Sequence, residues 1–363
     1  MQKIILIAFV AIVMQLNALS QGCVAIRSTG SCSTLQKPGE DAYKWQFNAN
    51  YRYFKSFRHF KGKVEQKERL VDHSDVRNYS HSLDLSMVRH FNARWSLALN
   101  MPLLVNHRSS LYEHGLVNGV YVKKERGTTA SYGLGDMRLS AYYWLFDPFK
   151  AAKGNIQLGM GIKFATGDYN YQDYWNNVGP NGSKELRTVD QSIQLGDGGT
   201  GLAAELNAYY SIIPQLAVYG NGFYLLNPRD VNGTRTYRET LSPALYNETI
   251  MSVADQYLVR VGFSYMVKKL AFSAGGRIDG IPVHDLAGHS NGFRRPGYAI
   301  AIEPGVTYST KKNTWYLNVP FAVSRNRTQS VTDKERSAAS GRFQQGDAAF
   351  ADYVINLGCS FKF

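Results

Sequence analysis

This sequence predicts an all-β fold, an antiparallel transmembrane β-barrel of twelve strands with long external loops and short periplasmic turns. Three observations predict it: a two-residue alternation that recurs along the chain, connections that alternate in length, and an amphipathic final strand ending on an aromatic residue.

The alternation is plainest near the start. Tyr43, Trp45, Phe47, Ala49, Tyr51 and Tyr53 interleave with Lys44, Gln46, Asn48, Asn50 and Arg52. Successive side chains of a strand point to opposite faces, so one face is apolar and aromatic and the other polar. About ten such residues, apolar toward lipid and polar toward a lumen, make a membrane-crossing strand. A water-soluble sandwich uses strands of roughly five or six residues. The same pattern predicts strands at 79–91, 95–106, 133–146, 155–167, 200–212, 216–227, 254–266, 270–279, 298–308, 314–324 and 352–363. Ile156, Leu158, Met160, Ile162 and Phe164 form one outward face; Tyr257, Val259, Val261, Phe263 and Tyr265 form another.

The connections between these strands alternate. Long ones span 55–78, 107–132, 168–199, 228–253, 280–297 and 325–347; short ones span 92–94, 147–154, 213–215, 267–269 and 309–313. Long outer loops and tight periplasmic turns are the asymmetry of outer-membrane barrels. The barrel is assigned to residues 41–363. At its end Tyr353, Ile355, Leu357, Cys359, Phe361 and Phe363 occupy alternate positions. Such a terminal strand is of the kind that the barrel assembly machinery reads, which makes Phe363 the expected point of contact with that partner.

The first residues read as an export signal. Lys3 supplies a positive start, Ile4 to Val13 is an unbroken apolar run, and Ala18-Leu19-Ser20 offers small residues for cleavage. The apolar run is too short to span a bilayer as a helix. Residues 1–20 are therefore expected to be a signal peptide, and 21–40 a polar periplasmic segment or a small plug. The location expected is the outer membrane of a Gram-negative bacterium, among outer-membrane lipids and lipopolysaccharide. Of three cysteines, Cys23 and Cys32 share one short polar segment of an exported chain, which allows a disulfide between them. Ser20-Gln21-Gly22-Cys23 is also readable as a lipidation site, although Ser20 stands where that signal wants leucine. Cys359 reads as a small apolar residue of the last strand.

Composition excludes several classes. No second apolar stretch of about 18 residues follows, so a bundle of spanning helices is excluded. The 24 Tyr and 18 Phe suit the interfacial girdles of a membrane barrel. The formal charge of +13 is spread along the chain without a basic block carrying interleaved aromatics, which argues against nucleic acid as a partner. The eight histidines show no metal-binding spacing, and no cofactor motif occurs.

Three segments carry a family resemblance: Gly133 to Tyr142 (GLGDMRLSAY), Ile156 to Asp168 (IQLGMGIKFATGD) and Gln194 to Leu202 (QLGDGGTGL). They resemble the outer-membrane barrels grouped as the meta-pathway phenol-degradation, or MetA-like, family. Ala165 stands where that family's turn has proline before Thr166-Gly167-Asp168. The resemblance covers roughly residues 95–215. It implies a porin or transporter for small, including hydrophobic, solutes, and carries over no catalytic residue. Read without it, the glycines let strands bend and backbones approach. Asp136 and Asp168 suit turns, where their carboxylates accept backbone N–H groups.

Alternation directs Arg52, Asp84, Arg138, Lys163, Glu205, Arg260, Arg277, Asp279 and Glu303 inward. Such charges either pair into a network that fills a barrel or flank a water-filled path; both occur. The long connections carry net positive charge, from which a weak anion preference is expected. Phe54 to Arg69 reads as a basic outer loop facing lipopolysaccharide or water. Arg294 and Arg295 either constrict the mouth or face solvent. A non-conducting structural or adhesion barrel is the alternative. A lipid hydrolase ranks third, because His81-Ser82 and His289-Ser290 are sequence neighbours, and neighbours on a strand face opposite ways. No enzyme is expected.

Overall fold

The computed structural model describes residues 44–237 and 245–363, apart from 112, 115, 118, 119, 122–124 and 152. The expected signal peptide, the 21–40 segment and the expected Cys23–Cys32 disulfide lie outside the described residues.

Twelve strands form the wall: β1 Trp45–Lys61, β2 Arg77–His90, β3 Trp95–Ser110, β4 in two segments (Gly127–Leu134 and Arg138–Trp144), β5 Gly154–Lys163 and β6 Gly201–Ile213. These are followed by β7 Leu216–Leu226, β8 Gln256–Val267, β9 Leu270–Ile281, β10 Gly297–Ser309, β11 in two segments (Asn313–Asn318 and Phe321–Arg327) and β12 Ala348–Lys362. Each strand pairs antiparallel with the next. β12 then pairs with β1, from Gln46 opposite Lys362 to Phe60 opposite Ala348, and the sheet closes. Trp45 and Phe363 exchange two backbone hydrogen bonds of 2.9 Å at the seam. Closure leaves no strand edge exposed to hydrocarbon, where an unpaired backbone group costs several kcal/mol.

All twelve predicted strands are present, and their ends differ in an instructive way. β1 continues to Lys61 instead of ending at Tyr53. Past Tyr53 the polarity of its faces inverts: Phe54 and Phe60 are buried, and Phe60 meets Phe350 edge-on at 5.5 Å beside Ala348. The upper strand has protein on its inner side, so the lipid-derived alternation no longer applies. The reading of 54–69 as a loop is corrected: the wall runs to Lys61, and the connection holds a short pairing at Val64–Glu65 and one helical turn at Glu68–Val71.

Two strands are broken. β11 breaks at Val319-Pro320, where proline has no N–H to give the ladder; the Pro320 carbonyl still accepts from the Val354 N–H at 3.1 Å. β4 breaks at Gly135-Asp136-Met137. The long connections are structured too. The one between β5 and β6 holds a hairpin of Gln172–Trp175 with Glu185–Thr188. The one between β11 and β12 holds helix α1, Val331–Ser340, started by a Ser330/Asp333 capping box and ended by Gly341 at φ 63°.

The outer face is apolar. Leu158, Met160 and Ile162 on β5, and Val259, Val261 and Phe263 on β8, are exposed. Toward the short-turn end it becomes aromatic, with Trp95 against Tyr143 at 4.5 Å, Arg94 over Tyr143 at 4.5 Å, and Trp315 against Phe361. Such a girdle sits where a barrel leaves the bilayer. Among the described residues no helix is long and apolar enough to cross a membrane.

Ala49 and Cys359 are partners across the closing seam. In a chain with Cys23→Ser and Cys32→Ser, an Ala49→Cys substitution is expected to crosslink to Cys359 on oxidation. A crosslink would hold the barrel against heat on a denaturing gel; its absence would show a different seam register.

Candidate functional site

The nine charged residues singled out by alternation are buried or half-buried and form ion pairs. On β8 the side chains of Leu258, Arg260 and Ser264 are buried while Val259, Val261 and Phe263 are exposed, which fixes the sense of the inner face. Arg52 of β1 donates to Asp84 of β2 at 2.8 Å. Arg138 of β4 meets Glu205 of β6 at 3.2 Å, and Glu205 also accepts from the Tyr142 hydroxyl at 3.0 Å. Glu303 of β10 accepts from Arg260 at 3.0 Å and lies 3.7 Å from Arg277 of β9. Arg277 in turn donates to Asp279 at 2.8 Å. Lys163 of β5 bonds Asp197 and lies 3.6 Å from Asp136. Every pair except Arg277–Asp279 joins different strands or a strand and a loop.

Around these pairs the inner face carries amides and hydroxyls. Asn221 donates to Asn207 at 2.8 Å, Asn207 to Gln157 at 3.2 Å, and Tyr316 to Asn50 at 3.0 Å. The rungs cross β5 to β7 and β11 to β1.

Lys163 anchors a knot made from all three glycine motifs. The Asp136 carboxylate accepts from the Gly167 N–H at 3.0 Å and the Asp197 N–H at 3.1 Å. Thr166 accepts from the Met137 N–H at 2.8 Å and donates to the Gly135 carbonyl at 2.9 Å. These bonds draw the break in β4, the end of β5 and the approach to β6 onto one another. Glycine is required where they touch. A Cβ on Gly196 would stand 2.5 Å from an Asp136 oxygen and 2.6 Å from the Gly167 carbonyl oxygen.

Above the knot, the connection between β5 and β6 folds over the mouth. Asp190, fully buried, accepts both Nη groups of Arg295, at 3.1 and 2.9 Å, and lies 3.4 Å from Arg108 of β3. Arg295 stands just before β10, and the strand order puts β3 and β10 on roughly opposite sides of the ring. Asp190 thus ties an inserted loop to both sides. Ser131 of β4 donates to the Ile193 carbonyl, and Gln191 donates to the Ser252 carbonyl at 2.9 Å. Arg108 also grips Glu113 at 2.5 Å. Trp175 completes the cap, stacked between His114 at 5.0 Å and Tyr237 at 4.7 Å. Arg294 pairs with buried Asp285 at 2.6 Å, so both arginines of the 291–298 segment turn into the protein. Sequence reasoning left their direction open and did not find Asp190. It sits in a connection with no periodicity, and only its distant partners reveal it.

Burial pushes the Asp190 carboxyl up, but Arg108 and Arg295 outweigh burial and hold it well below the usual carboxylate range. Glu113 is lowered in the same way by Arg108 against burial. Neither histidine–serine pair forms a nucleophilic dyad. His81 bonds the Tyr51 hydroxyl at 2.8 Å while Ser82 is buried on the opposite face. Ser290 bonds Asp285. Among the described residues no group of His, Cys, Asp or Glu is placed to hold a metal.

No family model and no curated protein matches the chain. Among solved structures, an outer membrane channel from Pseudomonas putida F1 superimposes with a TM-score of 0.54 at 12% identity, covering 93% of this chain and 100% of that one. A TodX monoaromatic hydrocarbon channel matches with a TM-score of 0.44 at 9% identity over 93% and 95%. A Pseudomonas aeruginosa FadL homologue matches at 0.41 and 10% over 94% and 96%. The first shows that the fold is that of an outer-membrane β-barrel.

Two outcomes follow from this geometry. Glu303→Gln takes the counter-charge from the buried Arg260 guanidinium, and removing one partner of a buried pair costs about 3–5 kcal/mol. The substitution should lower the urea midpoint of the folded barrel, read by tryptophan fluorescence. Because Asp190 and Glu113 are depressed in the folded state, their stabilisation is present above the ordinary carboxylate pKa of about 4 and is lost as pH falls through their folded values. The difference in urea midpoint between wild type and Asp190→Asn should therefore hold constant from pH 8 to 5. A change within that range would contradict the assigned pairing.

Proposed function

We propose that the protein is an outer-membrane channel for passive or facilitated passage of small solutes, hydrophobic ones included. The observation that carries this reading is the inner face. A closed barrel whose wall is apolar outside presents ionised side chains, amides and hydroxyls inside, a lining that suits an aqueous path. The resemblance of the three glycine motifs to the MetA-like barrels, and the fold shared with the Pseudomonas putida channel, agree with it. Arg52, Asp84, Arg138, Lys163, Glu205, Arg260, Arg277, Asp279 and Glu303 are assigned as residues of the path. Export through residues 1–20 and assembly through Phe363 belong to the same proposal, as does residence among outer-membrane lipids and lipopolysaccharide.

The paired charges are balanced, so ion selectivity falls to the basic outer connections and should be weakly anionic. The second reading is a non-conducting platform, favoured by the loop that Asp190 ties across the mouth. Single-channel recording in a planar bilayer separates them. Stable ohmic steps with a reversal potential of slight anion preference support the channel; a folded, silent protein supports the platform. Asp190→Ala releases the loop and should raise conductance or the fraction of time open. An unchanged current in that variant would show that the loop does not limit the path.

A further inference from the structure

The end of the barrel that carries the short turns is lopsided in charge. Its five turns are residues 91–94, 145–153, 214–215, 268–269 and 310–312. Their described residues include Arg94 and six lysines against a single acid, Asp147. Arg94 is engaged by the protein itself, donating to the Trp144 and Leu145 carbonyls at 2.9 and 2.5 Å. The lysines are Lys150, Lys153 and the pairs Lys268-Lys269 and Lys311-Lys312. All six are exposed, and none makes an ion pair among the described residues. The charges of the interior, by contrast, are matched with partners of opposite sign.

Two features show what this surface faces. The first is a turn that folding alone would fill differently. Lys268 takes φ 55°, a left-handed backbone that suits glycine or asparagine in a two-residue hairpin. Two adjacent like charges give that hairpin nothing in return, so their use lies outside the chain. The second is the apolar surface next to the lysines. Val267 and Leu270 are cross-strand partners at the base of the 268–269 turn, and Tyr308 and Trp315 are partners at the base of the 310–312 turn. All four are exposed on the outer face, and exposed Phe149 precedes Lys150. A lysine so placed lays its alkyl stem along apolar surface and carries its ammonium just past the aromatic girdle. That is the depth of a phospholipid phosphate. A partner approaching from water would need the ammonium groups but not the apolar collar beneath them.

We propose that the short-turn rim is a binding surface for anionic phospholipid headgroups, phosphatidylglycerol among them, in the leaflet on that side of the membrane. Lys268, Lys269, Lys311 and Lys312 form its densest part, and Lys150 and Lys153 extend it to a third turn. Clustered lysines at a membrane surface gain attraction with each added charge. The inference depends on the barrel sitting in a bilayer and not on whether it conducts.

Native mass spectrometry of the detergent-solubilised full chain tests it, with phosphatidylglycerol and phosphatidylcholine of the same acyl chains added in equal amounts. The wild type should carry at least three times as many phosphatidylglycerol adducts as phosphatidylcholine adducts. A variant with Lys268→Gln, Lys269→Gln, Lys311→Gln and Lys312→Gln should bring that ratio to about one, while arginine at the same four positions should keep it. A control with Lys61→Gln, Lys63→Gln, Lys67→Gln and Lys184→Gln removes four exposed lysines from the opposite end and should leave the ratio as in the wild type. Heat-dependent gel mobility checks that each variant is folded. A wild-type ratio near one, a ratio unchanged in the turn variant, or an equal fall in the control overturns the proposal. A ratio near one together with tight binding of soluble poly-glutamate, lost in the turn variant, would assign the rim to an acidic protein and overturn the lipid reading. The KCl current of the same preparations tests the channel separately: a silent barrel that selects phosphatidylglycerol leaves this surface standing and refutes the channel.

Discussion

Every feature of this protein depends on the obligation to pair its backbone. A strand surrounded by hydrocarbon has no water for its N–H and C=O groups, so the sheet must meet itself. β12 does this by pairing with β1 from one end of the wall to the other. Closure in turn creates an inside that lipid never touches, and only there can ionised side chains be held at such density. The exposed Val259 and Val261 and the buried Arg260 between them are successive positions of one strand serving two environments.

The interior is organised by ion pairs that join neighbouring elements. Pairs of this kind add little net stability over apolar replacements, since desolvation consumes most of the attraction. Their value is specificity. A strand displaced by one residue would present Arg260 to lipid and Val259 to Glu303, and the mismatch excludes that register. The glycine knot does the same for the break in β4. Lys163, Asp136 and Asp197 hold three chain segments at distances that a single added methyl group would forbid.

The sequence made the wall legible because the bilayer imposes one rule at every strand. Where a strand touches lipid, apolar residues alternate, and the alternation gave the number of strands and their order. Past Tyr53 the rule lapses, and Phe54 and Phe60 read as loop although they continue β1. The cap was not legible at all. Asp190, Arg108 and Arg295 come from three distant parts of the chain, and nothing in the spacing of any one of them announces the other two. The glycine motifs were visible as motifs, yet their convergence on Asp136 required coordinates.

The seam between β1 and β12 has a consequence for biogenesis. It joins residues about as far apart in sequence as the described chain allows, and contacts of such separation form late because the loop they close is entropically costly. Ring closure also cannot begin until the final strand exists. Neighbouring strands can pair locally as hairpins before that point, but the ring itself cannot close. Until its last residues arrive beside its first, the sheet keeps two open edges, and open edges are prone to aggregation.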